Sequence, residues 1–350
     1  MKNFIIEKNE AGQRFDKYLA KLLKEAPKSF LYKMLRKKNI TLNGKKAAGN
    51  EILKCGDEVK LFFSEETFEK FSKSEAVSLA RFPLDILYED DNVLLINKPA
   101  GMLSQPCESG QPSLVEYVTG YLLDQGSIAK SSLSTFHPGV CNRLDRNTSG
   151  IVAAGKSLIG LQELSKMFHD RTIHKDYLCL TAGEIKKRNF IKGYLHKDTK
   201  CNKVIVYEKK VQDSQPIETY YTPLGSSGSE TLLLVRLVTG RTHQIRAHLA
   251  SIGHPVVGDT KYGDKDVNRY FRERFCLEHQ LLHGYRLTFP EVSGPLACLS
   301  GTVHTAPVPA LFHKIIKKQQ LEESYYENLE RNMGLCKNGD HRHRYCSDCE

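Results

Sequence analysis

Apolar residues recur at helical spacing from Gly12 to Glu25, where Phe15, Tyr18, Leu19, Leu22 and Leu23 share one side and Lys17, Lys21 and Lys24 the other. This spacing predicts an amphipathic helix. A second short helix is predicted from Ser29 to Lys38, with Leu31, Met34 and Leu35 inward and Lys33, Arg36, Lys37 and Lys38 left to solvent. Strand signals follow at Ile40 to Leu42, before an Asn43-Gly44 turn, and at Glu58 to Phe63, where Val59, Leu61 and Phe63 alternate. Two helices and a small sheet therefore occupy residues 1–63. Residues 64–82, rich in Ser, Glu and Lys without a period, read as a linker.

Beyond the linker the patterns shorten. Strands are predicted at Asp85 to Tyr88, Val93 to Asn97, Ile151 to Ala154, Lys175 to Leu180, Lys203 to Tyr207, Ile217 to Thr222, Thr231 to Val238 and Leu282 to Phe289. Helices intervene at Ser113 to Leu123, Leu158 to Arg171, Thr242 to Ser251 and Asp266 to Phe275. The two kinds do not alternate strictly, so the fold class expected is α+β with a mixed, mainly antiparallel sheet over residues 83–320. Residues 321–350 form a tail of different character.

Charge changes this picture more than composition does. Hydrophobic content of 40% and charged content of 26% are near globular averages. The net charge of +10 is uneven: residues 1–63 hold 15 Lys and Arg against 7 Asp and Glu. A polyanion partner is expected at this module, with Arg14, Lys33, Arg36, Lys37 and Lys38 on RNA phosphates. A solvated basic face is the competing reading. No apolar run approaches the ~20 residues needed to span a bilayer, and Glu7 falls where an export signal would need its apolar centre. A cytoplasmic protein without membrane contact is expected. Most of the ten cysteines are scattered singly, which suits a reducing compartment better than a disulfide framework.

Three polar islands carry the candidate chemistry. The densest runs from His137 to Gly150 and centres on Asp145, with Arg143 and Arg146 close enough in sequence to keep its carboxylate charged if it lies in a cleft. An ionised aspartate can act as a nucleophile. Asp followed by Asn-Thr-Ser-Gly also describes an ordinary turn. The second island, Thr239 to His248, contains Arg241, His243 and Arg246; it also reads as a turn, a Thr242 helix cap and a surface arginine. In the third, Lys175-Asp176-Tyr177, the tyrosine is either functional or simply core. No Gly-rich phosphate loop, His pair at metal-binding helical spacing or Ser nucleophile elbow is present in the region of the strands, which lowers the weight of nucleotide hydrolysis, dehydrogenation and metal-assisted hydrolysis.

In order and spacing, Asn97-Lys98-Pro99-Ala100-Gly101, Arg143 to Gly150, Lys175-Asp176-Tyr177, Gly240 to Arg246 and His254 to Asp259 resemble the RluA-type RNA pseudouridine synthases over residues 83–316. Arg14 to Leu19, the basic second helix and the Asn43-Gly44 turn resemble the alpha-L RNA-binding domain of a ribosomal protein and several RNA-modifying enzymes. The resemblance implies isomerisation of a uridine flipped out of structured RNA without a cofactor, and a monomer is expected. Ribosomal RNA of the large subunit is favoured over transfer RNA. By the same resemblance Asp145, Tyr177 and Arg246 are catalytic, Arg246 pairing with Asp145 through a bidentate fork, while Arg143, Arg241 and His243 contact RNA. Asn142 departs from the family, which usually has His there, and this bears on how the base is positioned. The alternative is a non-catalytic RNA-binding or ribosome-assembly factor that keeps the fold. The tail holds Cys336, His341, His343, Cys346 and Cys349; these types suit zinc, but the spacing fits no standard finger, so no metal is assigned.

Overall fold

A computed structural model of the protein describes residues 1–72, 80–107, 110–198, 203–321, 325 and 328. The five Cys and His positions of the tail lie outside the described residues. The N-terminal part runs β1 (Lys2–Ile5), α1 (Phe15–Leu22), α2 (Lys28–Arg36), β2 (Ile40–Leu42), β3 (Lys45–Lys46), β4 (Glu58–Leu61) and α3 (Glu65–Phe71). Its strands pair in the order β1-β4-β2-β3. The helices bury Phe15, Tyr18, Leu19, Leu22, Leu31 and Leu35 against Ile40, Val59 and Leu61. Full burial of each such apolar side chain contributes about 1.5–3 kcal/mol, so the apolar stripe, more than the charged one, holds this module together. Helix α3 was not expected, since its segment reads as linker. Phe68 stacks on Phe4 at 5.9 Å between ring centroids and Phe71 meets Phe30 at 4.6 Å, so two aromatics draw the start of that segment onto the module.

The larger part contains β5 (Ile86–Glu89), β6 (Val93–Lys98), α4 (Leu114–Asp124), β7 (Gly139–Val140), β8 (Ser149–Gly155), α5 (Leu158–His169), β9 (His174–Ala182) and β10 (Asn189–Asp198). It continues with β11 (Lys203–Tyr207), β12 (Gln215–Ser226), β13 (Glu230–Leu237), α6 (Gln244–Ser251), α7 (Lys265–Phe275), β14 (Leu282–Thr288), β15 (Val303–Thr305) and α8 (Ala310–Lys318). Among the described residues eleven strands form one sheet, in the order β11-β10-β12-β13-β9-β14-β8-β6-β5, with β15 on β14 and β7 on β8. Only the β14–β8 pairing is parallel. The sheet is thus mixed and mainly antiparallel, and the fold is α+β. No helix among the described residues is long and apolar enough to cross a membrane.

Strand alternation assigns the two faces. Leu94, Ile96, Val152, Ala154, Tyr177 and Cys179 share one core with α4 and with Ile245 and Leu249 of α6. Leu178 and Leu180 face the other side, under α7 and α8. At the sheet centre β8 and β14 approach closely: Gly150 has φ +116°, and a Cβ there would lie 2.2 Å from the Gly284 carbonyl oxygen. Glycine is required at that crossing. The two parts of the molecule also touch. The Ser132 hydroxyl donates to Glu7 at 3.2 Å, and the Thr135 hydroxyl donates to the buried Glu10 carboxylate.

Candidate active site

Asp145 sits in the loop between β7 and β8, and that loop is tied down from several sides. Leu144 is buried, its N–H donates to the Ser104 hydroxyl at 3.1 Å, and that hydroxyl donates to the Leu144 carbonyl at 2.7 Å. The ammonium of Lys98, fully buried, donates to the carbonyls of Pro99 (2.9 Å), Met102 (2.9 Å) and Arg146 (3.1 Å). Burial pushes Lys98 down to about 7, although the charge of Asp145 opposes the shift. Lys98 thereby pins the 98–102 loop to the residue that follows Asp145.

The neighbouring arginines do not supply Asp145 with its counter-charge. Arg146 turns away and donates through Nε to the Gly101 carbonyl at 3.0 Å, while Arg143 is exposed. The partner comes from α6: Arg246 Nη1 donates to Asp145 Oδ2 at 2.8 Å. The expected bidentate fork between these two residues is not there. Arg246 spends its fork on Asp259 instead, Nε to Oδ2 at 2.6 Å and Nη2 to Oδ1 at 2.8 Å, and reaches Asp145 with its remaining edge. Five donors on one planar group allow both contacts at once. Nor is Arg246 a surface residue, for its side chain is 6% exposed.

Asp259 is completely buried and also accepts the backbone N–H groups of Lys261 (2.8 Å) and Tyr262 (3.1 Å). Burial alone would raise its carboxyl; the hydrogen bonds and charge of Arg246, with the two amides, outweigh that and hold it below the usual range. Burial would also lower Arg246, but Asp259 and then Asp145 raise it above its ordinary value. Asp145, with 23% of its side chain exposed, is the open end of this chain. Its Oδ1 has no protein partner among the described residues.

Tyr177 lies on β9, on the face shared with α6, and is buried. Gly284 is opposite it in the β14–β9 register, and the Leu144 methyl groups lie 3.5 Å from where a Cβ at 284 would be. The absent side chain lets the Asp145 loop settle beside Tyr177. Burial first, then the charges of Asp145 and Asp176, raise the phenol well above its ordinary value and keep it protonated. Asp176 points to the opposite face, where Arg236 (Nε, 2.7 Å) and Arg286 (Nε, 2.8 Å) grip it.

Helix α6 does not begin at a Thr242 cap. His243 precedes it with φ +55° and ψ +16°, and Gln244 fastens the start, its amide donating to the Glu218 carbonyl (3.0 Å) and the Thr219 hydroxyl (3.1 Å). Expected among the RNA contacts, His243 lies beside Asp145, Nε2 to Oδ2 3.9 Å. Arg241 is exposed. Asn142 is spoken for by β8: its Nδ2 donates to the Ile151 carbonyl at 3.1 Å and its Oδ1 accepts from Ala153 N–H at 2.8 Å. It extends the strand pairing, so the missing family histidine leaves a structural amide in its place.

In the N-terminal module Lys33, Arg36, Lys37 and Lys38 are exposed. Arg14 is engaged by Asp16, through Nε at 3.1 Å and Nη2 at 2.9 Å, and the Tyr32 hydroxyl joins at 2.9 Å. A second basic island escaped the sequence reading. Residues 186–210 hold nine Lys and Arg against two Asp and Glu, and within this span β10 and β11 form the sheet edge. A charge count in shorter windows finds it; taken over all residues after 63 it is cancelled by acidic segments elsewhere. Asp259, Tyr262 and Lys98 were also missed as members of the site. Asp259 and Lys98 stand in family-like motifs but received no role.

A family model described as RNA pseudouridylate synthase matches residues 92–251. An uncharacterized RNA pseudouridine synthase of Mycoplasma genitalium is 30% identical, over 83% of this chain and 89% of that protein. Ribosomal large subunit pseudouridine synthase C of Escherichia coli is 31% identical, over 81% of this chain and 87% of its own length. Among solved structures, human RNA pseudouridylate synthase domain containing 4 superposes with a TM-score of 0.53 at 21% identity, covering 67% of this chain and 92% of the human one, which bears on the fold alone. Likeness sustained over four-fifths of the chain, spanning both Asp145 and Arg246, is a family relationship: the protein belongs to the RluA-type RNA pseudouridine synthases, isomerases that turn uridine in RNA into pseudouridine.

Proposed function

We propose that Asp145 is the carboxylate that drives the isomerisation and that the substrate is a specific uridine of large-subunit ribosomal RNA. The observation carrying the first part is the Asp259–Arg246–Asp145 chain, in which a buried carboxylate aims a guanidinium so that one oxygen of Asp145 is held and the other is open. Pseudouridine formation breaks the N-glycosidic bond, turns the uracil and joins its carbon 5 to the ribose. Asp145 acts on the ribose or the uracil as a nucleophile, or on the sugar as a base. Arg246 fixes the direction of its charge.

A uridine inside folded RNA must first leave its stack, at a cost of a few kcal/mol that contacts in the pocket offset. Tyr177 receives the uracil on its ring, and Arg143, exposed two residues before Asp145, enters the gap left behind. Arg241, Lys33, Arg36, Lys37, Lys38 and the β10–β11 edge hold phosphates and set the register of the RNA without reading its bases. Residues 1–63 serve as an RNA-binding module of alpha-L type and residues 83–320 as the catalytic domain of a cytoplasmic monomer. The choice of ribosomal over transfer RNA follows the names of the relatives, several of which are large-subunit enzymes.

Two measurements test the reading. An Asp145→Asn enzyme should form no pseudouridine in total RNA from a strain lacking the gene; activity at the wild-type rate would refute the assignment. Carbodiimide mapping of that RNA should find a missing pseudouridine in large-subunit ribosomal RNA. A site lost only from transfer RNA would overturn the substrate, and no lost site anywhere would favour a protein that only binds.

A further inference from the structure

We infer that a hydrogen-bond relay from the backbone of β11 through Tyr262 holds the His243 ring as a single neutral tautomer with its Nε2–H aimed at Asp145, which makes His243 and Tyr262 positioning residues for that carboxylate. The inference rests on the proposed role of Asp145.

The relay is read from donors and acceptors. Val204 N–H donates to the Tyr262 hydroxyl oxygen at 2.9 Å, and that hydroxyl lies 2.9 Å from His243 Nδ1. A backbone N–H can only donate, so the phenol proton has to go elsewhere. Among the described residues His243 Nδ1 is the acceptor within reach, and it can accept only when it carries no proton. The ring proton is then on Nε2, the nitrogen that faces Asp145 Oδ2 across 3.9 Å. That separation exceeds a hydrogen bond. It closes when RNA is bound, either onto Oδ2 or onto a ribose hydroxyl seated between the two groups.

The backbone is arranged for this purpose at a cost. A left-handed conformation is strained at a residue other than glycine, and His243 adopts it at φ +55° just before α6. The turn brings the imidazole, 11% exposed, into the cleft instead of leaving it on the helix end. The surrounding charges agree. Asp145 and Asp259 favour the imidazolium, while burial, the largest effect, together with Arg246 and Lys261 opposes it, so the ring titrates below its ordinary value. Tyr262 touches the other members too: its ring lies under the Arg246 guanidinium at 5.3 Å, and its backbone N–H donates to Asp259. One tyrosine thus fixes both groups that face Asp145, and its own hydroxyl is fixed by the basic β10–β11 hairpin.

The test uses full-length protein labelled with ¹⁵N-histidine, His243→Gln serving to assign the signal. Multiple-bond ¹H–¹⁵N spectra near neutral pH should show His243 protonated at Nε2 only, and Tyr262→Phe should replace that pattern with a tautomer mixture. An Nδ1–H tautomer or an imidazolium in the wild type would overturn the inference, whatever the variants do. In turnover assays Tyr262→Phe should lower kcat about fivefold to tenfold with KM for RNA unchanged. His243→Gln, which keeps an N–H near the Nε2 position, should outperform His243→Leu by at least about fivefold. Equal activity of the two, or a change confined to KM, would make His243 an ordinary RNA contact. If Asp145→Asn stays active while the tautomer is as stated, the reading of Asp145 fails and the relay stands.

Discussion

Replacing Asp259 by Asn tests whether the buried carboxylate aims the arginine. The wild-type side chain accepts four donors, Arg246 Nε and Nη2 and the amides of Lys261 and Tyr262, with no exposure to solvent. An asparagine has one acceptor oxygen. If that oxygen stays with the two amides and Arg246 Nη2, its NH2 group confronts Arg246 Nε. Removing one partner of a buried ion pair costs about 3–5 kcal/mol, and because Arg246 keeps Asp145 and the Tyr262 ring, a loss of about 2–4 kcal/mol is expected in urea unfolding. The guanidinium would also swing toward Asp145. A displacement of about 1 Å at an orienting group costs on the order of 100-fold in rate. Tritium release from carbon-5-labelled uridine in RNA, under single-turnover conditions and well below the unfolding midpoint of the variant, measures that step. A rate within about threefold of wild type together with a stability loss under about 0.5 kcal/mol would refute the role given to Asp259.

Arg246→Lys keeps the charge but cannot span Asp259 and Asp145 with one planar group, so turnover should fall by about 100-fold or more while RNA affinity by filter binding changes less than about threefold. Lys98 titrates at about 7 when folded, against 10.5 for an ordinary lysine, so between those values the unfolded chain holds more protons. Its contribution therefore destabilises the fold at and below pH 7, and the penalty fades as the pH rises. Urea midpoints taken at about pH 7 and about pH 9 should show a gain in the wild type that Lys98→Met lacks, and equal gains would contradict the shift. Converting Arg36 and Lys37 together to Ala should lower the slope of log affinity against log salt by roughly 0.7–0.9 per lost phosphate contact, without changing the single-turnover rate at saturating RNA. An unchanged slope would remove α2 from the RNA surface.

The local elements of this protein are written where one rule dominates. In α1 the stripe Phe15, Tyr18, Leu19 and Leu22 is apolar on one side only, and in β6, β8 and β13 nearly every position is buried. Strand β10 escaped because it lies near the sheet edge, with Lys192, Gly193 and Lys197 interrupting any alternation. Helix α8 escaped although Phe312, Ile315 and Ile316 carry helical spacing, because its nine residues give a short pattern. Helix α3 was hidden by composition: its Glu and Lys residues read as linker, and Phe4 and Phe30, 64 and 41 residues away in sequence, make its two phenylalanines a packing face.

The sequence alone determined which chemistry was available: one dense polar loop around Asp145, a tyrosine entering a strand, an arginine on a short helix, a basic first module and the α+β class. Periodicity, charge and motif order are local properties, and they survive without coordinates. What only the tertiary structure decided is how those groups are paired. Near Asp145 in the chain are Arg143 and Arg146, yet one is exposed and the other donates to Gly101, and the counter-charge arrives from Arg246, 101 residues later. The fork expected on Asp145 went to Asp259, and His243 stands beside the carboxylate. Ionic partners are chosen by desolvation and direction at the bottom of a cleft, and both depend on strands that meet only once the sheet has formed.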